Sequence, residues 1–143
     1  MRFDKFTLKV QEALQEAQGL ASQYGHQAID SEHLLVSFLK HPEGILPDIL
    51  KKLGADPGRI EREIGKLLEK LPKIEGTAGG QTYISPRLNR VLDASLSEAA
   101  RLTDEYVSAE HILVAMADEK EGPLAKILAS NGITKDAIFK VLV

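Results

Sequence analysis

The chain contains no cysteine. Without cysteine there is no disulfide framework, and no thiolate can bind a metal or act as a nucleophile, which is compatible with a reducing compartment. The sequence also has no stretch that approaches the ~18 apolar residues of a membrane span, and no apolar run follows the first five residues. We therefore expect a cytoplasmic protein without a membrane partner.

An excess of basic charge is also absent. The formal net charge is -3, and residues of both signs are interspersed along the chain. A nucleic-acid-binding surface needs a basic patch that neutralises phosphates, so nucleic acid is not an expected partner. With 143 residues, of which 43% are hydrophobic, the chain is long enough to bury a substantial core. We predict one domain, residues 1–143.

Motifs for catalysis and metal binding are missing as well. The segment Gly76–Gln81 is rich in glycine but lacks the lysine and the spacing of a phosphate-binding loop. No Gly-x-Ser-x-Gly elbow occurs, and the four histidines have no metal-ligand spacing (His26, His33, His41 and His111). We therefore predict no catalytic residue, no metal site and no cofactor in this chain, and an enzyme is the weaker hypothesis.

The most informative feature that is present is an internal repeat. A shift of 78 positions places Ser31–Leu35 on Ala109–Leu113 without a gap. The same shift aligns further pairs, which are Leu14 and Leu92, Gly44 and Gly122, Gly54 and Gly132, and Ile60 and Ile138. Two copies of one structural unit should therefore pack around a pseudo-two-fold axis.

Helical periodicity and capping residues divide each copy into four helices. Thr7 and Ser85 are predicted to cap the first helix of each copy, and Asp30 and Ser108 the second. Gly54 and Gly132 are predicted to form a left-handed turn at the end of the third helix of each copy, before the fourth helix begins. The predicted fold is all-α, with eight helices and no strand, comprising repeat one at about 6–70, a linker at about 71–84 and repeat two at about 85–143.

A Glu-His pair opens the second helix of each copy, as Glu32-His33 and Glu110-His111. A glutamate there is favoured by the helix dipole by roughly 0.3 to 1 kcal/mol, which would be a purely structural role. Alternatively, the two carboxylates receive a cation from a partner protein, such as a guanidinium. For the histidines we expect a structural role, as hydrogen-bond donors to a carbonyl of the other copy.

A groove is expected where the two copies meet, and such grooves bind apolar peptide segments through side-chain anchors. The candidate groove residues are all apolar and lie near the starts of the two copies (Phe3, Phe6, Leu8, Ile84 and Leu88). Ile84 and Leu88 are also candidates for the core, because large apolar side chains at helical spacing are usually buried. Phe3 is the most open to a surface role.

The Phe6-Thr7 opening, the repeated Glu-His pair and the connector Leu71–Gly76 resemble the N-terminal domain of ClpB-type protein disaggregases. The N-domains of ClpC and ClpA share the doubled four-helix unit. The resemblance covers the whole chain, and the connector favours ClpB.

This resemblance implies a non-catalytic domain that binds exposed hydrophobic segments of unfolded or aggregated protein. The full-length protein would be a homohexameric AAA+ ATPase that uses ATP and magnesium, whereas the isolated domain would be a monomer. Polar positions implicated in the family's function match Thr7, Asp104 and Glu110, and the three are expected to converge across the pseudo-two-fold axis.

Two alternatives remain within the same resemblance. In ClpC-type N-domains paired acids recognise phosphorylated arginine on clients, and Glu32 and Glu110 match those positions. The domain would otherwise dock adaptor or co-chaperone proteins, or act as a gating arm on the ATPase ring without binding clients. A client receptor should bind many sequences through an apolar patch, whereas an adaptor surface should be selective and polar.

Overall fold

The computed structural model describes residues 3–73 and 82–142, and within these ranges the protein is all-α, as predicted. A short 3-10 helix at Phe3–Lys5 precedes the first α-helix. The eight α-helices are α1 (Leu8–Tyr24), α2 (Ser31–Leu39), α3 (Ile45–Lys52), α4 (Pro57–Lys70), α5 (Pro86–Arg101), α6 (Ala109–Ala117), α7 (Pro123–Ser130) and α8 (Lys135–Leu142).

The helix starts reproduce the sequence repeat. Each helix of the second copy begins 78 positions after its counterpart, so that Leu8 corresponds to Pro86 and Ser31 to Ala109. The same offset relates Ile45 to Pro123. The two copies therefore have the same helical layout, because the capping residues that begin each helix are repeated with it.

The predicted caps are observed. The Thr7 side chain accepts the Val10 N–H at 3.3 Å, and the Ser85 side chain accepts the Leu88 N–H at 2.9 Å. Pro86 occupies the first turn of α5, where its missing N–H costs nothing. After α3 and α7 the chain turns through glycines with positive φ, 81° at Gly54 and 75° at Gly132.

The prediction of no strand was wrong. Ala28–Ile29 (β1) and Tyr83–Ile84 (β2) form a short parallel pair, and Phe6 forms an isolated parallel bridge with Val107. In each case the residues before the first helix of one copy pair with the residues before the second helix of the other. Two-residue strands are too short to show an alternating pattern, so periodicity does not predict them.

The core is shared between the copies. α2 is buried on every side, since all nine of its residues are buried, and α6 is nearly so, with seven of its nine residues buried. α1 packs on α2 and α5 on α6, while α3 contacts α6 and α8, and α4 contacts α7. Because these last contacts cross between copies, neither set of four helices has a complete core by itself.

Part of the predicted linker lies outside the described residues, namely positions 74–81, which include the glycine-rich segment Gly76–Gln81. The last residues assigned to the linker are structured, because Tyr83 and Ile84 form β2. No helix in the described ranges is long and apolar enough to cross a membrane.

Candidate functional site

The start of α1 and the start of α6 are joined by backbone hydrogen bonds. Thr7 N–H donates to the Val107 carbonyl at 3.0 Å, and Val107 N–H donates to the Lys5 carbonyl at 2.7 Å. This ladder places the cap of α1 beside Ser108, the cap of α6. Two of the predicted site residues, Thr7 and Glu110, are thereby brought together from the two copies.

A surface cavity of about 320 Å³ opens between these helix starts. Its floor is apolar and is formed by the buried residues Ala13, Phe38 and Leu46, and the exposed side chain of Ile45 also lines it. Its rim is acidic. The charged residues that line it are four glutamates, one lysine and one histidine (Glu12, Glu16, Glu43, Glu110, Lys9 and His41). An apolar floor under an acidic rim suits an apolar side chain that has positive charge nearby.

His41 and Glu16 form an ion pair on this rim. The Glu16 carboxylate lies 2.9 Å from His41 Nε2, and Glu43 lies 3.5 Å from its Nδ1. The hydrogen bond with Glu16 raises the pKa of His41. The imidazole therefore neutralises part of the acidic rim when it is protonated.

Asp104 is not in this cavity, so the expected convergence of three polar residues is incomplete. Its carboxylate lies 2.8 Å from His111 Nε2, in the loop before α6. Ser108 N–H donates to His111 Nδ1 at 2.9 Å, and the Ser108 hydroxyl donates to the Glu110 carboxylate. Asp104 is thus connected to the cavity through His111 and Ser108.

The first copy of the Glu-His pair is arranged differently. Glu32 is 95% buried, and both of its carboxylate oxygens accept from Arg87 Nη1, at 3.1 and 3.3 Å. Arg87 also makes a forked pair with Glu119 at 3.4 Å and lies 3.9 Å from Asp30. Burial raises the pKa of Glu32, and the Arg87 guanidinium opposes that rise. Glu32 therefore already has a cation, supplied by α5.

The two sites are pseudo-symmetric, but their glutamates differ in access: Glu32 is paired internally, whereas Glu110 lines the cavity. A shift of 78 positions relates Glu110 to Glu32 and Lys9 to Arg87. The surface around Arg87 is lined by five charged residues and one glycine, namely Arg87, Arg90, Glu119, Lys120, Glu121 and Gly122. The apolar floor of the Thr7 and Glu110 cavity has no counterpart there.

The apolar groove residues predicted from the sequence separate into two groups. Phe6 and Leu88 are core residues, with 1% and 0% of their surface exposed, so neither offers a side chain to a ligand. Phe3 and Ile84 line a second cavity of about 330 Å³, whose other residues are Gln11, Leu14, Gln15, Gln18, Ile29, Thr82 and Tyr83. Leu8 is exposed on the first turn of α1 and lines neither cavity.

The hydrogen bonds predicted for the histidines were wrong. Among the described residues, neither the His33 nor the His111 ring is hydrogen-bonded to a carbonyl of the other copy. Each ring instead accepts the N–H of its own cap residue, Asp30 or Ser108, at 2.9 Å. The other ring nitrogen of His33, Nε2, is hydrogen-bonded to Nδ1 of His26 at 2.8 Å. A histidine at the third position of a helix substitutes here for the glutamate or glutamine of a capping box.

No group of three or more potential ligands that could hold a metal ion occurs in the part of the chain that the structure describes.

A family model, the Clp repeat N-terminal domain, matches residues 5–131. The chain belongs to the Clp N-terminal domain family. Among curated proteins, the chaperone ClpB of Clostridium perfringens is 34% identical over 145 residues, covering 99% of this chain and 17% of that protein. ClpB of Porphyromonas gingivalis is 40% identical over 116 residues, covering 81% of this chain and 13% of that protein. The chain therefore spans less than a fifth of the length of these two relatives, 17% and 13%.

Solved structures show the same fold. The N-terminal domain of Hsp104 from Candida albicans superposes with a TM-score of 0.80 at 23% identity, over 95% of this chain and 87% of that one. The N-terminal domain of ClpV1 from Escherichia coli superposes with a TM-score of 0.82 at 18% identity, over 97% and 84%. A complex of a ClpV N-domain with a VipB peptide gives a TM-score of 0.81 at 19% identity, over 98% and 86%.

Several residues of this Clp N-domain that shape the cavity were not found by sequence reasoning. Ile45 and the glutamates of α1, Glu12 and Glu16, have no distinctive motif around them. Arg87 could have been noticed, because the 78-residue shift pairs it with a lysine at the start of α1. That comparison indicates a basic residue repeated at the start of the first helix of each copy, but not the glutamate with which it pairs.

Proposed function

We propose that this Clp N-domain receives exposed hydrophobic segments of unfolded or aggregated polypeptide at the Thr7 and Glu110 cavity. The observation that carries the proposal is the apolar floor between α1 and α6, with its acidic rim, at the junction of the two copies. The client would pass to the ATPase ring of a homohexameric, cytoplasmic ClpB-type disaggregase that uses ATP and magnesium. A ClpV N-domain of the same fold forms a complex with a VipB peptide, which supports peptide binding by this fold.

The charge of the rim defines the client further. Four glutamates surround the floor, whereas one lysine and one histidine supply positive charge. Apolar segments flanked by lysine or arginine should therefore bind better than the same segments flanked by acidic residues. We expect weak binding, ~1 mM to 1 μM, because a machine that releases and translocates its client gains little from tight capture.

Recognition of phosphorylated arginine at both glutamates is less well supported. The Glu32 carboxylate accepts two hydrogen bonds from Arg87 and is almost completely buried, so a client guanidinium would have to displace Arg87. Glu110 is partly exposed on the cavity rim. We therefore propose one client position for each domain, at Glu110. A polar, selective surface for an adaptor protein would not need the apolar floor.

The experiment is an NMR titration of the isotope-labelled domain with an apolar peptide carrying basic flanks, and with the same peptide carrying acidic flanks. Ile45→Ser removes an apolar lining side chain that is 43% exposed, and its matched control is Leu102→Ser, which is 42% exposed and lies outside the cavity. We expect shifts around the cavity, a preference for basic flanks, and binding weakened about 3- to 10-fold by Ile45→Ser only.

Equal effects of Ile45→Ser and Leu102→Ser would contradict the proposed location. Shifts confined to the Phe3 and Ile84 cavity would instead assign the client to that second site. Absence of binding at millimolar peptide would reject client capture and favour a gating role.

A further inference from the structure

The hydrogen bonds around His111 fix the position of its proton. A backbone N–H can only donate, so the contact from Ser108 N–H to Nδ1, at 2.9 Å, requires that Nδ1 has a free lone pair. The neutral ring then carries its proton on Nε2. That proton faces the Asp104 carboxylate, whose Oδ2 lies 2.8 Å away.

The same ring influences Glu110 through one hydroxyl group. Ser108 Oγ lies 3.2 Å from His111 Nδ1 and donates to the Glu110 carboxylate. A hydroxyl has a single hydrogen, so it can donate to Glu110 or to Nδ1 but not to both. The single lone pair of Nδ1 is already taken by the Ser108 N–H, which leaves the hydroxyl hydrogen to Glu110. If the proton moved to Nδ1, the ring would oppose the Ser108 N–H, and Ser108 would lose the contact that holds its hydroxyl beside Glu110.

We propose that Asp104 is a positioning residue for the cavity: by accepting from His111 Nε2 it holds the imidazole in the tautomer that caps α6, and so keeps the Ser108 hydroxyl on Glu110. Asp104 itself does not contact the client. The effect of Asp104 on client binding rests on the proposed function. The effect of Asp104 on the His111 tautomer does not.

The first copy supports this assignment. The position that corresponds to Asp104 is His26, which pairs with His33 at 2.8 Å. There the glutamate next to the capping histidine, Glu32, is held by Arg87 rather than by its cap residue. The histidine that has a carboxylate partner is therefore in the copy whose glutamate lines the cavity. Within residues 3–73 and 82–142, no arginine is paired with that glutamate, Glu110.

The test compares four proteins: the wild type, Asp104→Ala, Asp104→Asn and Glu105→Gln. Asn keeps an oxygen that accepts the Nε2 proton but removes the charge. Glu105→Gln removes an equal charge from the next position in the same exposed loop. The His111 tautomer is determined from the ¹⁵N chemical shifts of its ring, at a pH where the ring is neutral, and client affinity from the peptide titration.

We expect the wild type, Asp104→Asn and Glu105→Gln to have the Nε2–H tautomer and similar client affinity. Asp104→Ala should show a mixture of tautomers, a shifted Glu110 amide signal, and affinity weakened about 3- to 10-fold, the effect of one lost hydrogen bond. Thermal unfolding of each variant establishes that it is folded.

Three results would overturn the assignment. If Asp104→Asn lost as much affinity as Asp104→Ala, the charge of Asp104 would contact the client directly. If Asp104→Ala kept the Nε2–H tautomer, Asp104 would not control it. A changed tautomer without changed affinity would separate His111 from client binding. If the wild type bound no peptide, the proposed function would be rejected. The tautomer measurement would still test whether Asp104 controls His111.

Discussion

At the scale of single residues, the two copies differ in the hydrogen-bond partner of their repeated glutamate. Glu32 is paired with Arg87 inside the protein, whereas Glu110 is held by Ser108 at the edge of a cavity. A carboxylate that is buried has to be neutralised or paired, because loss of hydration is costly. Arg87 is therefore a structural residue, although it lies next to a position that the family resemblance associates with ligands.

Replacing Arg87 by alanine should destabilise the protein by about 2 to 4 kcal/mol at neutral pH, because Glu32 would remain buried without a cation. Arg90→Ala, an exposed residue on the same helix, is the control. Urea unfolding measures both. Without Arg87 the already raised pKa of Glu32 should rise further. Protonation would then remove the unpaired charge, so the destabilisation should be smaller at pH 5 than at pH 7. A penalty independent of pH would contradict this.

The sequence predicted the presence of the repeated glutamates but not their different environments. Glu32 and Glu110 are both followed by histidine and both lie at the second position of a helix, so their local patterns are the same. The difference arises from Arg87, which is 55 positions away from Glu32 and reaches it only in the folded protein. A local pattern contains no information about such a contact.

At the scale of helices, the sequence was most informative about where each helix begins. Caps and periodicity are local, and the structure confirms Thr7 and Ser85 as caps. An amphipathic helix has one apolar face, but α2 is buried on all sides. Its polar residues, Glu32, His33 and Ser37, are inaccessible because α1, α4 and the second copy surround the helix. That arrangement is a property of packing, which periodicity alone does not reveal.

The cap of α2 should make the fold sensitive to acid. Burial, together with the neighbouring His26, lowers the pKa of His33 from 6.5 to about 4. The unfolded chain therefore binds a proton near pH 6.5, whereas the folded protein does so only near pH 4. The contribution of His33 to the free energy of unfolding should be fully present above pH 6.5. It should decrease as the pH falls toward 4, by at most about 3 kcal/mol.

Urea unfolding between pH 7.5 and pH 4 measures this loss. In His33→Gln the amide oxygen can still accept the Asp30 N–H, but it does not titrate. The variant should be less stable than the wild type at pH 7.5 and should lose less stability on acidification. Parallel pH profiles for the two proteins would exclude His33 as the source.

At the scale of the whole molecule, the two copies depend on each other for a core. α3 packs on α6 and α8, α4 packs on α7, and extended segments before the helices pair between the copies. The sequence predicted the pseudo-two-fold arrangement from the 78-residue shift. It did not predict the parallel pairing, since Phe6 and Val107 are joined by only one bridge and no motif marks them.

Because the core is shared, the two copies should unfold in one transition. NMR signals from Ala17 in the first copy and Val114 in the second, both buried, should disappear at the same urea concentration. Leu50→Ala, a core substitution in α3, should move both midpoints equally, at a cost of about 2 to 5 kcal/mol. Separate midpoints, or a folded protein made of residues 1–73 alone, would show that the copies are independent.

The internal pairing of Arg87 with Glu32 also limits the valency of the domain. A duplicated unit would ordinarily present two equivalent binding positions, but here one of them is filled by the chain itself and the other is open. On the proposed function, a single domain holds a client at one point. Any gain in affinity for a long client must then come from several domains in the same assembly, at an effective concentration set by the length and stiffness of the chain that connects each domain to its neighbours.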